Sequence, residues 1–222
     1  MDLSSQAAGI GALADDTRRA LYEYVVAQPD AVGRQQAASA LGVAVHTVGF
    51  HLDRLVEEGL LDVEFRRLTG RSGPGAGRPS KLYRRADREF AVTLPERRYD
   101  LVGDLLAAAI DRATAGVPLD EALAQTAHDE GASVGREADV GDPGLPALAE
   151  VLAGQGYEPR VADREVVLAN CPFDSLAKRH TELVCGLNQS FVQGVADGVG
   201  CRGVTAHLEP EEGQCCVKAR AD

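Results

Sequence analysis

An α+β fold in three parts is predicted, and three observations predict it. Over residues 34–58 apolar residues recur at spacings of three and four in two short runs, a helical period. After Gly59 the period switches to two, with Leu61, Val63 and Phe65 alternating against Asp62, Glu64 and Arg66. From Tyr157 onward the pattern reads strand pair, helix, strand pair, which suggests a small antiparallel sheet covered by helices.

Taken in order, Ile10 to Ala27 is predicted as one helix, with Leu13, Leu21, Tyr24 and Val25 on one stripe and Asp15 and Asp16 placed to cap and charge it. Gln35 to Leu41 is a second helix, stopped by Gly42, a residue suited to the left-handed geometry that ends helices. Val45 to about Glu58 is a third. Its Val48, Leu52, Leu55 and Val56 face inward, leaving His46, Thr47, Phe50, His51 and Arg54 on the other face. Ala44 occupies the N-cap position, where a side chain without oxygen costs about 1 kcal/mol. Leu61 to Leu68 and Lys81 to Arg85 then form a strand pair around TGRSGPGAGRPS, a loop rich in Gly and Pro with no acidic residue.

Two short helices around a turn followed by such a hairpin predict a winged helix-turn-helix. In that arrangement the outward face of the second helix enters the DNA major groove. Arg71, Arg78 and Lys81 on the hairpin are placed to pair with phosphates. The other reading of the helical spacing alone is an amphipathic helical hairpin with a solvated polar face.

Beyond a connection at residues 86–95, helices are expected from Tyr99, with Leu101, Leu105, Leu106, Ala109 and Ile110 together, and over Leu119 to Arg136. The apolar face of the first is either intrachain core or a homodimer seam, and helix-turn-helix proteins commonly read two half-sites as dimers. A break at Gly141 to Pro146 precedes a short helix around Leu148 and Leu152. Strands follow at Tyr157–Val161 and Glu165–Ala169, a long helix from Phe173 to Val199, and a second hairpin at Gly203–Leu208 and Gln214–Ala219. The domains expected are 1–95, the winged helix-turn-helix; 96–140, a helical linker and dimerisation region; and 141–222, a C-terminal α+β sensor.

The net charge of -11 is unevenly spread. Residues 66–98 carry ten basic and three acidic side chains, and a localised basic patch is what a nucleic acid meets. No apolar run approaches the roughly 20 residues that span a bilayer, and the N-terminus lacks the basic start and apolar run of a signal peptide, so a cytoplasmic protein is expected.

In that compartment the five cysteines are not expected to form structural disulfides. Cys171, Cys185, Cys201 and Cys215 are separated by 14, 16 and 14 residues, and Cys216 is adjacent to the last. Such spacing lacks the compact CxxC of common zinc sites. Metal binding, thiol redox chemistry and simple burial as small hydrophobes all remain open. An enzyme using a cysteine nucleophile with His180 or His207 as base is a rival, but no nucleophile signature or Gly-rich cofactor loop accompanies it, and a non-enzyme is expected.

The run HTVGFHLDRLVEEGLL followed by GRPSKLYRRA resembles bacterial winged-helix regulators of the ArsR type, through the motifs HLxxLxxxGLL and GRPxKxY. This resemblance covers roughly the first 95 residues and implies binding to double-stranded DNA. In the C-terminal half, NCPF, then HxxLVCxxN, then a late Cys-Cys-Val resembles SufR-like regulators, winged-helix repressors of iron–sulfur-cluster assembly genes. On that resemblance an iron–sulfur cluster would be held by Cys171, Cys185 and Cys215, with Cys201, Cys216 or His180 completing the set and zinc as the alternative metal.

Overall fold

A computed structural model describes residues 3–67 and 78–222. The chain forms two compact units, Met1–Val92 and Thr93–Asp222.

The first unit contains helices α1 (Leu3–Ala12) and α2 (Asp16–Val26), a two-residue strand β1 (Val32–Gly33), helices α3 (Arg34–Leu41) and α4 (Val45–Glu57), and strands β2 (Leu61–Arg66) and β3 (Ser80–Arg85). The single helix expected from Ile10 to Ala27 is two. The chain turns after Ala12, and Asp15 starts a new helix by accepting the Arg18 N–H at 2.8 Å. The Asp15 carboxylate satisfies an end that a continuous helix would not have. Gly42 ends α3 with φ of 66°, as its position after Leu41 predicts. Ala44 makes no side-chain cap to α4, also as expected.

Strands β2 and β3 pair antiparallel, with Val63 opposite Tyr83 and Phe65 opposite Lys81. Strand β1 joins the other edge of β3, giving the order β1-β3-β2. Two residues are too few to show alternation, so β1 had no signal in the sequence. Leu21, Val25, Val32, Val48, Leu52, Leu55 and Tyr83 close the core between these helices and strands.

The second unit contains α5 (Tyr99–Thr114), α6 (Leu119–Glu137), α7 (Leu145–Ala153), β4 (Pro159–Ala162), β5 (Glu165–Leu168), α8 (Asp174–Ala177), α9 (Thr181–Val199), β6 (Val204–Leu208) and β7 (Val217–Ala221). The four strands form one antiparallel sheet in the order β4-β5-β7-β6. Helix α9 packs on it through Phe191, Val192 and Val195, and Leu148, Leu152 and Phe173 fill the same core.

Three expectations are corrected in this unit. Residues 96–140 do not stand apart as a linker: Leu101, Val102 and Leu105 of α5 and Ala127 of α6 belong to the core that contains the sheet, while Ile110 is exposed. Only part of the apolar face of α5 is therefore left uncovered. The long helix expected from Phe173 is broken at His180, which leaves helical geometry with φ of -137° and ψ of 55°. There the Thr181 hydroxyl donates to the Ala177 carbonyl at 2.7 Å, the carbonyl that the Thr181 N–H would take in a continuous helix. Finally, β7 begins at Val217, so Cys215 and Cys216 precede the strand.

Candidate functional site

In the first unit, α4 presents His46 and Phe50 to solvent, Phe50 with 69% of its surface exposed. Thr47 is half-buried beside them. His51 departs from the expected outward set: its side chain is 12% exposed and turned toward Asp15, with Nδ1 at 3.9 Å from the carboxylate. The helical stripe places His51 at the boundary of the faces, and the Asp15 cap of α2 lies on the inward side. Arg54 is exposed and pairs along its own helix with Glu57, at 3.2 Å, and Glu58. Exposed pairs of this kind are worth about 0–1 kcal/mol, so a phosphate can displace them at little cost.

Arg78 is exposed, whereas Arg71 lies outside the described residues. Lys81 is engaged: its Nζ lies 2.6 Å from Asp53 Oδ1. Asp53 has no place in the outward face predicted for α4. It sits on α4 and also accepts the Tyr83 hydroxyl at 2.7 Å and Arg34 Nη2 at 2.6 Å, while Arg34 Nε donates to the Tyr83 oxygen at 2.7 Å. One carboxylate thus ties the first residue of α3, the middle of α4 and strand β3 together. A signal was available, because Lys81 and Tyr83 are two apart on one strand and so share a face. Beside this network lies a groove of about 960 Å³ lined by Arg34, Arg66, Arg78 and Lys81 together with Phe65.

Burial and the adjoining Asp53 carboxylate push the Tyr83 hydroxyl up to about 12. Burial would raise Asp53, but hydrogen bonds from Lys81 and Tyr83 and the Arg34 charge outweigh it and hold the carboxyl below 3.8. The signs follow from linkage. The raised Tyr83 contributes stability that is present below pH 10.0 and lost as pH climbs through about 12; the lowered Asp53 contributes stability present above pH 3.8 and lost as pH falls further. In a tyrosinate absorbance titration, Tyr83→Phe is expected to remove one of the late-ionising phenols, buried Tyr157 being another, and to flatten the alkaline limb of unfolding. An unaltered late phase in the variant would show that the Tyr83 hydroxyl is not tied to Asp53.

In the second unit, four of the five cysteines line one cavity of about 400 Å³: Cys171, Cys185, Cys215 and Cys216, with Arg97 and Asn170 on its wall. The fold brings them there from three places. Cys171 follows β5, Cys185 lies in the first turns of α9, and the N–H of Cys215 is bonded to the Leu168 carbonyl at 2.8 Å, which holds the approach to β7 against the end of β5. Arg97 donates to the Cys171 carbonyl at 2.9 Å and to Asn170 Oδ1 at 2.5 Å, and Asn170 in turn donates to the Gly156 carbonyl at 2.7 Å.

The thiols stand as two pairs, Cys171 with Cys215 and Cys185 with Cys216. The neighbouring Cys215 and burial push Cys171 up, while the Cys171 neighbour, against burial, lowers Cys215; the Val217 N–H and Asn188 side chain assist. Burial and the Cys216 neighbour push Cys185 up to about 12. Cys201 is elsewhere, buried, with its thiol on the Gly144 carbonyl at 3.4 Å. Among the described residues that line the cavity there is no histidine, and His180 and His207 lie outside it. Among the described residues, no three His, Cys, Asp or Glu side chains converge on a single-ion position.

Residues 13–64, from the turn after α1 into strand β2, match a family model described as a helix-turn-helix domain. The chain carries a helix-turn-helix domain. The match spans α2, α3, α4 and most of β2 and supports a DNA-binding transcription regulator. No curated protein and no solved structure matches the chain. Among the described residues no helix is long and apolar enough to cross a membrane.

Proposed function

We propose that this chain is a cytoplasmic, homodimeric transcription regulator that binds double-stranded DNA through a winged helix-turn-helix and senses iron–sulfur or redox status through its C-terminal cysteines. The observation that carries the sensory half of this reading is the convergence of Cys171, Cys185, Cys215 and Cys216 on one cavity. All four would hold the cluster. Cys216 thus joins the three cysteines singled out by resemblance, and Cys201 is left out.

The donor set fits such a group. Thiolates are the usual ligands of iron–sulfur clusters, and a cluster several atoms across asks for sulfurs spread more widely than one zinc ion does. When bound, the cluster would supply a redox-active, oxygen-sensitive centre. Arg97 on the cavity wall would place positive charge beside the thiolates that hold the group, and Asn170 ties the residue before Cys171 to the carbonyls of Glu96 and Gly156. The same pairing of Cys171 with Cys215 also favours a metal-free thiol response, in which a peroxide would oxidise the two thiols to a disulfide and be reduced to water or an alcohol.

On the DNA side, His46, Thr47 and Phe50 supply the outward face of α4, with Arg54 further along it. Arg78 supplies a phosphate contact from the wing, and Lys81 acts mainly through Asp53 as a brace between wing and helix. Because binding is linked, cluster and DNA must alter each other's affinity by the same factor.

The test is anaerobic purification and reconstitution with iron and sulfide, followed by visible absorption, iron analysis and anisotropy titration of a duplex over a range of salt. Thiolate-to-iron absorption, a steep salt slope and a duplex affinity that differs between loaded and metal-free protein are expected. Arg78→Ala should make the log affinity against log salt slope shallower by about one phosphate contact on every duplex. Protein that takes up no iron yet forms a Cys171–Cys215 disulfide with peroxide would favour the metal-free response; no duplex binding at low salt would end the regulatory reading.

A further inference from the structure

Asn188 is one of few polar side chains sealed in the core, at 2% exposure, and it has one partner at each end of its amide. The Tyr157 hydroxyl donates to its Oδ1 at 2.5 Å, and its Nδ2 lies 3.1 Å from Cys215 Sγ. Tyr157 is 3% exposed and Cys215 2%, so no bulk water competes for these groups. The Tyr157 ring is itself fixed edge-on to Phe173, with centroids 6.3 Å apart at 86°.

An amide has an acceptor end and a donor end, and a buried phenol needs somewhere to donate. Once the phenol claims Oδ1, the amide N–H groups are turned toward the sulfur. Asn188 lies one turn beyond Cys185 on α9, which puts both on one helix face. A single helix therefore delivers one thiol to the cavity and the donor for another.

We propose that Asn188, locked by Tyr157, is a positioning residue that presents an N–H donor to the Cys215 sulfur and thereby tunes the group bound there. The inference rests on the cluster-binding reading above. A hydrogen bond to a ligand sulfur draws electron density from it and favours the more reduced, more negative state of the centre. Removing the donor should shift the reduction potential downward. Tyr157→Phe keeps the ring and its packing, leaves the amide free to rotate, and should produce a smaller shift of the same sign.

The experiment is an anaerobic redox titration, followed by visible absorbance, of full-length wild type, Asn188→Leu and Tyr157→Phe, each reconstituted with ferrous iron and sulfide. Iron content and thermal unfolding of the metal-free forms are measured alongside. A downward shift in Asn188→Leu, and a lesser one in Tyr157→Phe, is expected at wild-type iron content. Should Asn188→Leu fail to fold, the shift in Tyr157→Phe decides alone. Variants that lose iron but keep the wild-type potential on the loaded fraction would overturn the inference, since that marks a merely structural role. If wild type itself holds no cluster, the cluster-binding reading falls and this inference with it.

Discussion

Gly194→Ala is expected to destabilise the second unit by about 2 kcal/mol or more, whereas Gly186→Ala on the same helix stabilises it by up to about 1 kcal/mol. Propensity alone gives both the same sign, because alanine is the better helix former by about that amount. Packing separates them. A Cβ at Gly194 would lie 2.1 Å from the His128 carbonyl oxygen and 2.9 Å from the Ala132 nitrogen, both backbone atoms of α6, while a Cβ at Gly186 meets nothing within 4 Å. The contact is reciprocal, since a Cβ at Gly131 of α6 would lie 2.1 Å from the Phe191 carbonyl oxygen of α9. Backbone cannot step aside as a side chain can, so α6 and α9 must separate, and Phe191, Val192 and Val195 separate with them from the sheet. Urea unfolding of the two variants against wild type measures the effect. Equal small stabilisation in both would show that the two helices are not in backbone contact.

The second large effect concerns the cysteines. Serine at Cys171, Cys185, Cys215 or Cys216 should abolish or destabilise cluster uptake, because a hydroxyl is a much poorer ligand for iron than a thiolate. Serine at Cys201 should leave the visible spectrum as in wild type. Cys201 is an apt control, being buried to a similar degree as Cys185 but bonded to the Gly144 carbonyl, a contact that a serine hydroxyl can keep. Loaded protein should also resist unfolding more than metal-free protein, since a ligand that binds only the folded state stabilises it. Iron analysis and absorption of the five reconstituted variants decide the matter. A set of five that load equally, or loss of iron in Cys201→Ser with retention in Cys216→Ser, would contradict the ligand set.

Much of the first unit was legible because its signals are local. A helix stop at Gly42, an inward stripe at Val48, Leu52 and Leu55, and alternation from Leu61 each depend on residues a few positions apart, and each has its counterpart in α3, α4 and β2. Two helix boundaries were not legible in the apolar period. The Asp15 cap, expected at its position, also divides the first helix in two, and the helix after Phe173 is interrupted where His180 leaves helical geometry and the Thr181 hydroxyl takes the Ala177 carbonyl. The partners of His51 and Lys81 were not legible for another reason. Helical and strand periods say which face a side chain leaves from, but not that Asp15 and Asp53 wait there.

By itself, then, the sequence determined the helix-turn-helix and the strand pair after it, the sheet-and-helix pattern of the C-terminal half, and the presence of five thiols without a compact metal motif. It could not rank those thiols, since separations of 14 to 16 residues are compatible with many arrangements. Only the tertiary structure set Cys216 in the cavity and Cys201 outside it, and placed Asn188 between Tyr157 and Cys215. The physical reason is the register of the sheet: antiparallel pairing of β5 with β7 brings the end of one strand beside the approach to the other. The glycines that let α6 and α9 touch belong to the same class of fact, because the contact is made by backbones more than 50 residues apart in the chain.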